Sequence, residues 1–305
     1  PDAHAIYWAQ RGIDDVTKRF DVTGPEGKPD GVLNLEEEEA AGGDFLKLRR
    51  IIYQSLQQAC MQGRLITPPP AMNYGWNVDL ITKANESYEK QMEAKRAEDS
   101  ASGTDTGLAE HMSTGHKNFL RNAVYFLYVY NRKAEAAKWY KYMIDLYPKS
   151  IPVPDLTLDE YCVSRVQEDA GETDHNQTKA VIAGLLMQAF QFAAVGEDDQ
   201  FVGHKALAIQ LRNRFQREIG KSTNRVGLPP FEELEKQALD DLFRPASPYL
   251  PPSVLEQLRI ALELPQDYGK DLEPYALPSP IQGPMEDPTE ERVQDPVPSP
   301  SPTPL

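Results

Sequence analysis

Residues 19–40 read RFDVTGPEGKPDGVLNLEEEEA, and five of them, Asp21, Thr23, Asp30, Asn34 and Glu37, carry side-chain oxygens in an order suited to a hard cation. Calcium needs several such oxygens converging at about 2.4 Å, so the order counts only if the backbone gathers them. The insertion GPEGKP (24–29) separates the first two donors from the rest. A simpler reading is a surface loop between two helices. Asp30-Gly31 then makes a turn, Leu33 and Leu35 anchor it inward, and the Glu36–Glu39 run starts a helix at the positive end of its dipole. The loop reading is the expectation, and a calcium-responsive module is the alternative.

Other residue types offer less chemistry. His111 and His116 in EHMSTGH are five apart, not the four of a helical zinc pair, and no HExxH occurs. His175 and His204 lack acidic or cysteine companions at ligand spacing, so all five histidines are expected to be structural. Cys60 and Cys162 lie about a hundred residues apart, which is neither a disulfide framework nor a metal spacing; both read as small buried hydrophobes. No GxSxG, Walker loop or dinucleotide glycine fingerprint is present. No catalytic residue is nominated, and the chain reads as a non-enzyme with no resident cofactor beyond the calcium alternative.

The elements that would position these residues are helices. DAHAIYWAQRGIDDVTKRF places Ile6, Tyr7, Ala9, Ile13, Val16 and Phe20 at helical spacing, and DFLKLRRIIYQSLQQACMQGRL repeats the pattern. TPPPAMNYGWN interrupts the chain, VDLITKANESYEKQMEAKRAED resumes a helix, and SASGTDTG (100–107) reads as a connector. Further helices are predicted over 108–130, 133–147, 157–169, 174–195 and 201–219, then in PPFEELEKQALDDLF and PPSVLEQLRIALELP. Thr157–Glu160 and Ser253–Glu256 have the form of capping boxes. No run alternates with period two for long enough to predict a sheet. Ten prolines between Pro274 and Pro304 predict a disordered or extended tail.

Residues 117–148, KNFLRNAVYFLYVYNRKAEAAKWYKYMIDLYP, resemble a tetratricopeptide repeat, a 34-residue antiparallel helix pair. The resemblance puts Ala136 at the crossing of the two helices and Tyr140 in the aromatic slot one turn later. Ile144 and Leu146 continue the apolar face, Pro148 closes the unit, and Asn131 stands where the family has a turn Gly. Val124 and Met143 replace small residues of the pattern. A looser match covers 185–215, with Ala189, Phe192 and Gly196 in place and extra residues in its turn; the pair 3–20 and 44–62 is a third candidate. The 21–37 loop resembles an EF-hand, implying Asp21, Thr23 and Asp30 as ligands, Gly31 at the sharp turn, Leu33 in the short strand, Asn34 through water and Glu37 bidentate.

Composition bounds the partners. The 305 residues carry 32 Lys and Arg against 47 Asp and Glu, a net charge of −15, which repels nucleic acid and anionic membrane alike. The basic run LAIQLRNRFQREIGK (207–221) is expected to be a solvated helix face. The apolar run 180–196 contains two Gln and is short for a membrane span, so a buried helix is expected. The organisation read from the chain is an N-terminal helix pair (1–66), a linker with one polar helix (67–107), a tetratricopeptide-like domain (108–220), C-terminal helices (221–273) and a Pro-rich tail (274–305). The fold class is all-α, antiparallel pairs stacked as an irregular array. The resemblance implies a scaffold binding another protein; from the short apolar run the chain reads as soluble, with cytoplasmic and exported locations both open.

Overall fold

In the computed structural model the described residues are 2–21, 44–67, 73–102, 108–148, 156–170, 175–219 and 227–275. The chain is all-α. Among these residues there are ten α-helices: α1 (Asp2–Phe20), α2 (Asp44–Gln62), α3 (Ile81–Ser102), α4 (Leu108–Val129), α5 (Lys133–Leu146), α6 (Leu158–Ala170), α7 (His175–Ala194), α8 (Asp198–Ile219), α9 (Phe231–Phe243) and α10 (Pro252–Ala261). Helix α3 runs to Ser102, so part of the predicted connector is helical, and α8 begins at Asp198, one turn earlier than its pattern suggested. None of the described helices is long and apolar enough to cross a membrane. The proline-rich residues 276–305 lie outside the described residues.

One feature runs against the sequence reading. Between α2 and α3 lie two antiparallel strands, β1 (Arg64–Thr67) and β2 (Asn73–Gly75), with an irregularity after Leu65. They are too short to show alternation. What holds them is non-local: Trp76, directly after β2, stacks on Phe126 of α4 with ring centroids 4.7 Å apart, and the Asn77 amide donates to the Cys60 carbonyl at the end of α2.

One cluster of buried side chains extends from Cys60 to Leu258. Helix α4 sits inside it, packed against α3, α5, α6 and α8, while α7 packs against α8, α9 and α10. Helix α7 buries residues around most of its circumference, from Thr178 through Leu185 and Leu186 to Phe190 and Phe192, as its near-continuous apolar run requires. Helix α8 approaches the end of α4 closely: a Cβ built at Gly203 would collide with the Val129 carbonyl oxygen. Only glycine fits there.

The predicted capping boxes have different outcomes. At α6 the Thr157 amide donates to Glu160 Oε2 at 3.0 Å, and the Glu160 amide donates to Thr157 Oγ1 at 3.3 Å, closing the box reciprocally. At α10 the helix starts earlier, with Pro251 at the N-cap and the Pro251 carbonyl accepting from Val254 and Leu255. Ser253 is therefore already inside the helix, and Glu256 accepts from Arg259 instead. Two adjacent prolines fix the helix entrance more strongly than a serine side chain does.

Candidate functional site

The hairpin α4–α5 is where the repeat-like residues come together. Its three-residue turn, Tyr130–Arg132, holds Asn131 in the left-handed region at φ 60°. The Asn131 amide donates to the Tyr128 carbonyl at 3.0 Å and the Arg132 amide to the Leu127 carbonyl at 2.9 Å, the paired bonds of a Schellman cap. Ala136 and Met143 are fully enclosed and Tyr140 is buried, its hydroxyl donating to the Leu156 carbonyl at 2.7 Å and so fixing the approach to α6. Ile144 is half-buried and Pro148 exposed. Leu146, expected on the apolar face, is 41% exposed, because the face turns away as α5 ends. Met143 takes its slot by extending toward the Tyr161 hydroxyl of α6, and Val124 is wholly buried.

The hairpin α7–α8 closes in the same way. Its turn is also three residues, Val195–Glu197, with Gly196 at φ 76°. The Gly196 amide donates to the Ala193 carbonyl and the Glu197 amide to the Phe192 carbonyl, the same pair of bonds at the same offsets. The extra turn residues expected from the sequence are the first turn of α8. Counting from the left-handed residue, the place of Ala136 is taken by half-buried Phe201, so the two hairpins share their closure but not their crossing.

These two turns meet the end of the β-hairpin in a polar crevice of about 420 Å³ lined by Arg64, Asn77, Asp79, Tyr130, Arg132, Glu197 and Asp199. Arg64 of β1 pairs with Glu197 of the second turn, Arg132 of the first turn with Asp79 and Glu135, and the Asn131 side-chain amide donates to Asp199. Beneath them Tyr130 is buried, with Phe192 and His204 against its ring. Ion pairs this exposed contribute at most about 1 kcal/mol each. Their chief effect is register, since the Arg64–Glu197 and Arg132–Asp79 pairs and the Asn131–Asp199 bond each join segments far apart in sequence.

A second crevice, about 530 Å³, lies between the start of α6 and α8, lined by Thr157, Asp159, Glu160, Gln210, Arg214 and Arg217 among others. Tyr128 reaches it from α4, its hydroxyl lying between the Asp159 carboxylate and the Gln210 side chain. The Thr157 backbone amide and hydroxyl hold the Glu160 carboxyl below its usual range, with Arg214 and Arg217 adding to the effect. The basic run expected to be a solvated face is used in part for tethering: Arg212 Nε donates to the Pro229 carbonyl at 2.7 Å, and Gln216 to the Leu228 carbonyl.

The cation candidates are not assembled by what is described. Asp21 is buried and its amide donates to the Thr17 carbonyl, continuing the last turn of α1. Thr23, Asp30, Asn34 and Glu37, with Gly31, Leu33 and Leu35, lie outside the described residues. Among the described residues no group of three or more His, Cys, Asp or Glu side chains is placed to hold a metal ion.

Two histidines are built into the core. His116 is wholly buried; its Nε2–H donates to Asn85 Oδ1 at 2.7 Å, leaving Nδ1 to accept from the Tyr147 hydroxyl at 2.9 Å. Tyr88 stacks on its ring, and burial lowers its pKa to about 4 against an attraction from Glu89. His204 Nδ1–H donates to the Gln200 carbonyl at 2.8 Å, so Nδ1 carries the proton; burial lowers its pKa too. Asn85, part of the sequon Asn85-Glu-Ser87, is committed to this network and buried. Burial raises both cysteine thiols, Cys60 to about 12, which leaves them without thiolate at neutral pH.

Sequence reasoning singled out Asn131, Ala136 and Tyr140, of which the structure gives a left-handed turn residue and two buried side chains, and the Thr157–Glu160 box, which closes. It missed the long-range ion pairs Arg64–Glu197 and Arg132–Asp79, and it missed Gly203, for which the only signal was a glycine inside a helical pattern. No family model matches the chain, and no curated protein or solved structure matches it.

Proposed function

We propose that this chain is a non-catalytic scaffold that binds another protein through a helical-repeat surface, as a subunit of a larger assembly. The observation that carries this reading is the shared closure of α4–α5 and α7–α8, two hairpins with three-residue turns and the same pair of capping bonds, packed through one core. Stacked helix pairs expose long helix faces without needing a reactive centre. The first crevice fits the reading, because its arginines pair with its own carboxylates, Arg64 with Glu197 and Arg132 with Asp79, rather than standing poised against a nucleophile. The net charge of −15 favours a protein partner over nucleic acid.

The test is isolation of the full chain, tagged, from its source under native conditions, followed by cross-linking and mass spectrometry. A stoichiometric protein partner cross-linked to α4–α8 is expected. Recovery of the chain alone, at a mass equal to its own, would overturn the reading.

A further inference from the structure

The residues after α10 fold back over the end of α9 as a strap. Tyr268 sets its ring edge-on against Phe243 at 5.2 Å, and its hydroxyl donates to Asp240 Oδ1 at 2.7 Å. Gly269, at φ 90°, lies so close that an added Cβ would come within 2.6 Å of the Phe243 carbonyl oxygen. Arg244 Nη1 donates to the Glu273 carbonyl at 3.3 Å, and the Tyr275 amide donates to the Pro245 carbonyl at 2.9 Å. These contacts bring Tyr275 to Tyr249, in the loop before α10. The two hydroxyls are 2.6 Å apart, and the rings meet edge to face with centroids at 5.4 Å and planes at 87°. The chain has 14 tyrosines, and two other pairs stack as closely, Tyr53–Tyr88 at 5.1 Å and Tyr140–Tyr161 at 4.9 Å. Their hydroxyls point elsewhere: Tyr88 donates to Gln57 and Tyr140 to the Leu156 carbonyl, and Tyr88, Tyr140 and Tyr161 are buried. Tyr249 is 40% exposed and Tyr275 half-buried, so this pair meets solvent.

We propose that Tyr249 and Tyr275 form an oxidative cross-linking site, at which a haem peroxidase and hydrogen peroxide join the two rings by a carbon–carbon bond. Each phenol gives up one electron and its hydroxyl proton, leaving two phenoxyl radicals. The radicals pair at the ring carbons beside the two oxygens. The hydrogen on each of those carbons then moves to oxygen, which restores both aromatic rings. Two hydrogens leave in all, and one peroxide takes them up as its O–O bond breaks to give two waters. Three features favour this site. The product is an ortho-linked biphenol, whose neighbouring hydroxyls share a hydrogen bond, and the 2.6 Å contact already sets that arrangement. The hydrogen bond with Tyr275 raises the Tyr249 pKa, so at neutral pH Tyr249 is a neutral phenol and its proton leaves with the electron. Coupling requires the rings to turn from 87° toward a common plane, and rotation about χ2 of a tyrosine is soft where the ring is exposed. The strap holds the partners together, so coupling within one chain is favoured over coupling between chains. The bond joins residues 26 apart in sequence and fastens the strap to the loop before α10. The inference does not depend on the scaffold reading.

The test treats the dilute full chain with a plant haem peroxidase and limiting hydrogen peroxide, followed by trypsin digestion and mass spectrometry. The expected main product is a monomer lighter by two hydrogens, in which the peptide holding Tyr249 is joined to the one holding Tyr275. Tyr249→Phe and Tyr275→Phe keep the packing ring and remove the phenol, and each is expected to abolish that product. Links formed chiefly between chains through Tyr7 or Tyr74, which are 56% and 52% exposed, would overturn the proposal. So would oxidation of those two tyrosines with Tyr249 and Tyr275 left unjoined.

Discussion

Two helix crossings in this protein each contain a glycine, and they behave oppositely. At the N-terminal edge, a Cβ added to Gly12 of α1 would lie 3.0 and 3.1 Å from the two terminal methyls of Leu48. In the centre, a Cβ added to Gly203 of α8 would run into the backbone of α4 and its turn, at Val129 and Asn131. A leucine tip can rotate away; a carbonyl at the end of a packed helix cannot. The surroundings differ in the same sense. Among described residues, α1 buries only Ala9, whereas α7 in the central pair buries nine. The edge pair is joined to the rest mainly through α2 and α3, so its packing is local and adjustable, and the central packing is neither.

The largest expected effect is Gly203→Ala, which should cost more than about 3 kcal/mol, because backbone must shift to relieve the overlap. Chemical denaturation of the variant measures it, and a loss under about 1 kcal/mol would mean that α8 is not seated on α4 as described.

Acid should strike the same central region next. The folded-state pKa of His116 is lowered to about 4, from 6.5, so the unfolded chain binds the extra proton more readily. Its contribution is fully present above pH 6.5 and is lost progressively as pH falls toward 4. The loss is on the order of 3 kcal/mol at 1.36 kcal/mol per pH unit. Burial of His204 acts in the same direction. Thermal melts from pH 7 to 4, compared with His116→Gln, should show the variant's stability changing less steeply across this window.

Ala136→Leu is expected to cost about 1–3 kcal/mol, since the side chain has no exposure where α5 crosses its neighbours. An unchanged melting temperature would place Ala136 outside any close crossing.

The smallest effect belongs to the edge. Gly12→Ala should be neutral within about 1 kcal/mol or slightly stabilising, because the higher helix propensity of alanine offsets the displacement of Leu48. If it proved as damaging as Gly203→Ala, the contrast between the two regions would collapse.

The amino-acid sequence alone determined which stretches are helices, and it did so through local causes. Apolar spacing marks α4, α5 and α9; the reciprocal bonds of Thr157 and Glu160 start α6; Asn131 and Gly196 stop α4 and α7, because a left-handed residue is needed at each. These are decisions made within one or two turns of chain. Tertiary structure decided the rest. The β-hairpin exists because Trp76 has Phe126 to stack on, Tyr7 is exposed because among the described elements α1 packs chiefly on α2, and the value of Gly203 depends on a carbonyl 74 positions earlier. The same holds for the Arg64–Glu197 pair, whose partners are 133 residues apart. A helical glycine, an arginine or a tyrosine carries one local cost or preference wherever it stands. Which atoms it meets is set by the packing of elements distant in the chain, and that packing has no signature at the residue itself.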